Sequence, residues 1–354
     1  MSISKGATVL VTGASGAVGP CVVQALCKAG HTIRTFSMDK PEGGIQTPDA
    51  GRRLALQSPG ALCDRDEAGT PDGGVQALVG DVTDPAAVQS AMQGVDAVVH
   101  LAALLHIVNP PPELREKYER INVGGTANVV EAAIKAGVKR VVLASTIAVY
   151  GPSDGQILNE DSIPHPDTFY AQTKLAAEKI VLSARNADGR PIGTVLRFGA
   201  VYGARIKGNY QRLLRSLARG RFIPIGIGQN RRTLVYDKDV ARAVALAVRH
   251  PAAAGKIFNV TDGQFHTLSE IITIICAALG RKPPGFFIPV GPARIAAGMV
   301  EDGLRLIGRR APISRATLDK YTEDIAVEGQ RIQDELGFVP HYDLQAGWRD
   351  ARQA

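Results

Sequence analysis

The stretch Ala7-Thr8-Val9-Leu10-Val11-Thr12-Gly13-Ala14-Ser15-Gly16-Ala17-Val18-Gly19 opens as an apolar run and then meets glycine at every third position. An unbroken apolar run with β-branched residues suits a strand buried on both faces. The apolar residues 22–29 that follow read as a helix. Gly13, Gly16 and Gly19 stand where a dinucleotide loop needs a tight turn, close backbone approach to a pyrophosphate, and tight helix-on-strand packing. The loop residues Gly13, Ser15, Gly16, Ala17, Val18 and Gly19 are therefore the first candidate cofactor contacts.

Working outward, the pattern repeats. The second strand, roughly His31 to Ser37, ends at the position where an acid would bind the 2′-hydroxyl of an adenosine ribose. Ser37 stands there, followed by Met38, Asp39 and Lys40. That leaves room for a 2′-phosphate, though no arginine clearly claims one, so NAD and NADP both stay open. Residues 40–74 are rich in Gly, Pro and Asp, lose periodicity, and read as a long inserted surface loop.

Order returns with VQALVGDVTD (75–84), a strand ending in Asp81 and Val82, where an acid can accept a hydrogen bond from an adenine amino group. VDAVVHLAA (95–103) is the next strand and ends in Leu101, Ala102 and Ala103, small enough to let a cofactor approach. A long helical stretch, 113–136, contains Asn122, and KRVVLASTIAVYG (139–151) is a buried strand emptying into Ser145 and Thr146. Strand–helix alternation throughout predicts an α/β fold, a doubly wound parallel sheet with ligands at the carboxyl ends of its strands.

Tyr170 and Lys174, in YAQTK, stand four residues apart in a helix-prone segment and so share one face. An ammonium beside a phenol favours the phenolate and would bring its pKa toward the working range.

The chain has 354 residues, an ordinary globular composition and a formal charge of +7. That charge suits anionic ligands, but the cations look scattered, which argues against nucleic acid. No apolar run is long enough for a membrane span. The N-terminus reads as a first strand and not a signal peptide. Cys21, Cys27, Cys63 and Cys276 lack metal-type spacing, so no metal is expected, and reduced thiols point to a cytoplasmic protein.

TGASGAVG, HLAA, Asn122, STIAVYG and YAQTK, in that order and spacing, resemble the extended short-chain dehydrogenase/reductase superfamily. The resemblance covers nearly the whole chain and extends to its epimerase/dehydratase branch. It implies a Rossmann domain over 1–196, to which 232–262 returns, and a smaller substrate-binding domain from 197–231 and 263–354. It implies Tyr170 as acid/base, Lys174 on the nicotinamide ribose, and Thr146, with Ser145 the runner-up, on the reacting oxygen. Asn122 would prop the site, and Phe198, in VLRFGAVYG, would lie over the nicotinamide. Asn209 and Arg232 would meet a sugar nucleotide's diphosphate, an Arg fork being suited to that group. Phe198, Gly199 and Ala200 depart from the family's usual Pro or Asn there. Superfamily 4,6-dehydratases carry an Asp-Glu pair after the threonine, whereas this chain has Ile147 and Ala148. Cys276 reads as core, so the Cys-His pair of a 3,5-epimerase is also missing. The expectation is thus an NAD- or NADP-dependent epimerase or ketoreductase, acting at a ring hydroxyl, C4 of a UDP-sugar, in a homodimer. The alternative is a reductase of a hydrophobic alcohol or ketone, like the hydroxysteroid and flavonol branches. A non-catalytic NADP sensor is disfavoured by the intact Tyr170, Lys174 and Thr146. The segment GLRLIGRRAPISR (303–315) reads as a solvated helix and loop in preference to a membrane-surface element.

Overall fold

A computed structural model describes residues 3–39, 74–105, 107, 110–206, 208–306 and 314–353. The expected insertion at 40–74 lies, but for Gly74, outside the described residues. So do Cys63 and parts of the loop 103–112 and of the basic segment 303–315.

The first strand, β1 (Thr8–Thr12), has Val9, Leu10 and Val11 wholly buried, as a run apolar on both faces requires. Its neighbours are β2 (Thr32–Ser37), β3 (Val75–Val79), β4 (Ala97–His100), β5 (Arg140–Thr146) and β6 (Gly193–Phe198). Three short strands, β7 (Ala200–Tyr202), β8 (Arg231–Arg232) and β9 (Leu234–Tyr236), precede β10 (Ile257–Val260), and β11 (His266–Thr267) closes the series. Seven of them form one parallel sheet in the order β10-β6-β5-β4-β1-β2-β3. Side chains alternate across it. Val9 and Val11 enter a core with the helices α1 (Gly19–Lys28) and, later in the chain, Asp237–Arg249. Leu10 enters the opposite core. That core is built with α2 (Pro85–Ala91) and, beyond α3 (Leu114–Tyr118), with α4 (Gly125–Lys135) and α5 (Phe169–Ser183). The fold is therefore a doubly wound α/β sheet with helices on both faces. Strand order reverses at β1, so the crevice beside β1 and β4 is where such folds hold ligands.

A separate apolar cluster forms among α6 (Asn209–Ala218), the helix α7 (Asp237–Arg249) being back on the main sheet, and α8 (Leu268–Ala278). Beyond α9 (Val290–Leu306), α10 (Arg315–Thr322) and α11 (Gln330–Leu336), α12 (Leu344–Gln353) completes that cluster. There Trp348 stacks on Tyr202 with ring centres 4.8 Å apart. Among the described residues no helix is long and apolar enough to cross a membrane.

Candidate active site

The glycine loop is built as its spacing requires. Gly13 has φ +69°, and a Cβ there would come within 2.6 Å of the Ala102 backbone nitrogen. A Cβ on Gly19 would come within 2.0 Å of the Ala14 carbonyl oxygen, so the start of α1 lies directly on the loop. A Cβ on Gly16 would meet only the loop's own Gly13 carbonyl, at 3.1 Å, which leaves its outer side accessible to a ligand. The α1 N-terminus has no side-chain cap and no acid in its first turn. The positive end of its dipole therefore fits the pyrophosphate of a dinucleotide.

The Ser37 hydroxyl accepts the Ser15 N–H at 3.3 Å, tying the tip of β2 to the loop. Arg34 is occupied, donating to the Gln76 side chain and to the carbonyls of Ala91 and Gln93. Asp81 accepts the Thr83 N–H through Oδ1, and the Val82 carbonyl accepts from Asn128.

At the carboxyl edge of β5, Thr146 and Ser145 face opposite sides, as successive strand residues must. Ser145 donates to Glu178 at 2.5 Å within the buried layer. Thr146 accepts the Ala148 N–H at 3.2 Å and is hydrogen-bonded with the Tyr170 hydroxyl. In register, Thr146 lies beside Phe198 at the end of β6. Thr168 caps α5 by accepting from Ala171, which fixes where the helix, and hence Tyr170 and Lys174, begin.

The electrostatics differ from the expectation in one respect. Burial raises the Tyr170 phenol to about 12, against which the Thr146 hydrogen bond is the lowering influence. Lys174, 3% exposed, is itself depressed to about 8 by burial, with Glu178 one turn on holding its charge in place. The shared helical face is present, but desolvation outweighs any lowering of the phenol by the ammonium.

Asn122 sits where the helix widens into a π-turn, Glu119–Gly124, between α3 and α4. Its Oδ1 accepts the Leu104 N–H at 2.7 Å, and its Nδ2 donates to the Leu104 carbonyl and to Thr173 of α5. Both ends of the amide are thereby spent holding the loop after β4 against the helix that carries Tyr170.

Sequence reasoning missed His100, the last residue of β4. It is buried between Thr12, 2.7 Å from Nδ1, and Thr126, 3.0 Å from Nε2. Thr126 donates its proton to the Asn122 carbonyl, so it accepts from Nε2–H, and Nδ1 accepts from Thr12. Burial, reinforced by the Lys174 charge, pushes the ring down to about 3 and keeps it neutral. Also missed was the ion pair of Glu178 with Arg197 of β6, both buried and bidentate, with Nη2–Oε2 at 2.6 Å. The signal was available: Glu178 continues the four-residue spacing from Tyr170 and Lys174, and Arg197 is a charge inside an apolar strand.

Arg232 is on β8 and Asn209 is the first residue of α6. Arg232 donates through Nη2 to the carbonyls of Lys320 and Tyr321, whereas its neighbour Arg231 is spent on an ion pair with Asp324. Among the described residues no group of His, Cys, Asp and Glu is gathered as a metal site.

Residues 9–261 match a family described as the NAD dependent epimerase/dehydratase family. The chain is similar to an N-acetyl-alpha-D-glucosaminyl-diphospho-ditrans,octacis-undecaprenol 4-epimerase of Escherichia coli O157:H7, 28% identical, across 76% of this chain and 80% of that one. It is also similar to a 3 beta-hydroxysteroid dehydrogenase/Delta 5-->4-isomerase of Mycobacterium tuberculosis, 26% identical, across 80% and 72%. Among solved structures, MoeE5 in complex with UDP-glucuronic acid and NAD superposes with a TM-score of 0.70 at 25% identity, covering 98% of each chain.

Proposed function

Since the chain belongs to the NAD dependent epimerase/dehydratase family, an NAD(P)-dependent oxidoreductase-type group, we propose that it is a nucleotide-sugar 4-epimerase or 4-ketoreductase. Epimerisation is the favoured outcome. The observation that carries this reading is the Tyr170–Thr146 hydrogen bond beside buried Lys174, at the carboxyl edge of the sheet. Gly13, Ser15, Gly16, Ala17, Val18 and Gly19 would hold the pyrophosphate, Asp81 and Val82 the adenine, and Lys174 the nicotinamide ribose. Leu101, Ala102, Ala103, Asn122 and Phe198 would wall the nicotinamide end. When bound, NAD(P) supplies the two-electron acceptor and donor.

Tyr170 takes the proton from the ring hydroxyl and returns it to the ketone oxygen, and Thr146 donates to that oxygen throughout. Thr146 takes this role in preference to Ser145, whose hydroxyl is engaged by Glu178. Ile147 and Ala148 follow Thr146, so elimination of water lacks an acid and a base. Following candidate UDP-hexoses by proton NMR in deuterated water tests the reading. Inversion at C4, or reduction of a 4-ketone, is expected. Deuterium entering C3 or C5, or conversion of C6 to a methyl group, would sink it.

Arg232 is proposed to bind the diphosphate through the guanidinium edge not used on Lys320 and Tyr321, with Asn209 as a second contact. Arg232→Ala should raise KM for the sugar nucleotide about tenfold, equivalent to ~1.4 kcal/mol. An unmoved KM would favour a second reading, a hydrophobic alcohol or ketone as substrate. That reading draws on the hydroxysteroid dehydrogenase relative and on the backbone carbonyls that already occupy part of Arg232.

A homodimer through the outer faces of α3 to α5 is also proposed. A cleft of about 370 Å³ lined by Arg115, Val123, Phe169, Gln172 and Ala176 lies there, on the side of α5 away from Tyr170. At 100° per residue Gln172 and Ala176 are well over a quarter turn from Tyr170 and Lys174. Light scattering at micromolar concentration should give twice the chain mass, and a monomer would refute it.

A further inference from the structure

The described surface carries one apolar patch that neither the sheet nor the candidate site uses. Ile223 and Ile227 follow α6, and Phe286 and Phe287 precede α9. The two segments run side by side, with the Gly226 N–H donating to the Ile288 carbonyl at 2.8 Å and the Ile288 N–H to Pro224 at 2.9 Å. A Cβ on Gly226 would come within 2.9 Å of the Val290 side chain, so α9 starts on the same surface. Among its described residues helix α9 buries only a narrow stripe, Ala297 and Gly298 with the half-buried Ala293, Glu301 and Leu304. Met299 on its outward side is 72% exposed and Ile295 67%, and Phe286, four residues before the helix, is 65% exposed. Single exposed apolar residues are ordinary, but several gathered on adjoining segments mark an interaction surface.

The charge around the patch selects the partner. Residues 208–230 contain four arginines and no acid, and 271–300 contain Arg281, Lys282 and Arg294 and no acid. Among the described residues, Arg212, Arg215, Arg219, Arg221, Arg281 and Lys282 form no ion pair, and Arg281 reaches Gly220 across the two segments. The acids of α9, Glu301 and Asp302, lie toward its C-terminal end and are held by Arg315, while Arg294 is paired with Asp319. A second copy would bring the same cations face to face and be repelled. A bilayer with anionic headgroups offers both an apolar interior for Phe286, Ile295 and Met299 and the opposite charge for the rim.

We propose that this face, formed by residues 219–227, 281–290 and the outward side of α9, docks the protein on an anionic lipid surface without spanning it. The proposal is independent of the substrate reading, since none of these residues belongs to the candidate site.

Co-sedimentation of the full chain with vesicles tests it. At about 50 mM salt most of the protein should pellet with phosphatidylglycerol/phosphatidylcholine vesicles and little with phosphatidylcholine alone, and about 0.5 M salt should release it. Arg219→Glu/Arg221→Glu and Phe286→Ser/Met299→Ser should each lower the bound fraction about fivefold at unchanged melting temperature, because both charge and apolar burial contribute. If either pair lowers the melting temperature, Lys282→Glu and Ile295→Ser are substituted for it. No binding to anionic vesicles, equal binding to neutral ones, or apolar variants that instead change the mass seen by light scattering would each overturn the proposal.

Discussion

Tyr170→Phe is expected to lower turnover by about 10³-fold, the scale of a lost general acid–base group, while leaving NAD(P) affinity within about twofold. The substitution removes only the oxygen that meets Thr146 and keeps the ring where the helix places it. Cofactor affinity should hold because the glycine loop, the α1 N-terminus and Lys174 are untouched. At neutral pH the phenol, its pKa raised by desolvation, is protonated, which makes it a ready donor to a ketone oxygen. In the oxidative direction it would have to start as the phenolate, the form that the Thr146 hydrogen bond favours. Stopped-flow turnover and a cofactor titration, run on the same preparation, separate the two effects. Retention of more than a tenth of the wild-type rate would reject Tyr170 as the acid/base. A parallel collapse of cofactor binding would show that the ring, not the hydroxyl, was being measured.

What the sequence made legible was local. Glycine spacing, apolar runs and helix-period pairs each depend on a few neighbouring residues, and the glycine loop and the parallel sheet follow from them. The environment of Tyr170 and Lys174 was not local. A four-residue spacing says that two side chains share a helical face; it does not say how far water is excluded from it. Burial is set by the tertiary fold around the helix, and it moves the phenol up and the ammonium down. The distinction between Ser145 and Thr146 is of the same kind. Alternation on a strand makes them face opposite ways, but only the position of α5 decides which hydroxyl meets Glu178 and which meets Tyr170. Asn122 was readable as a prop, whereas its hold on Leu104 and Thr173 depends on a π-turn that no periodicity signals. NAD and NADP stay undivided for a concrete reason: Ser37 spends its hydroxyl on the glycine loop, and the chain beyond Asp39 lies outside the described residues.

The second large effect is expected beneath the site. Glu178 gathers Ser145, the fork of Arg197 and, one turn away, Lys174. Arg197 lies over the Tyr150 ring at 4.7 Å, and Tyr150 in turn donates to Asn259 of β10 at 2.9 Å. One carboxylate thus connects α5 to β5 and β6 and, through them, to the sheet edge. Glu178→Leu leaves the guanidinium of Arg197 and the ammonium of Lys174 buried together without an anion, which should cost about 3–5 kcal/mol of stability. Arg197→Met should cost less, because the carboxylate it leaves behind still has Lys174 and the Ser145 hydroxyl. The double variant, which removes both charges of the pair, should be more stable than Glu178→Leu alone. Urea denaturation of the four proteins gives the coupling directly. If Glu178→Leu costs less than about 1 kcal/mol, or if the two single losses simply add, the pair contributes no more than an ordinary surface bridge. The coupling would then have to be sought elsewhere, because Glu178 is the group whose charge opposes the depression of Lys174 by burial.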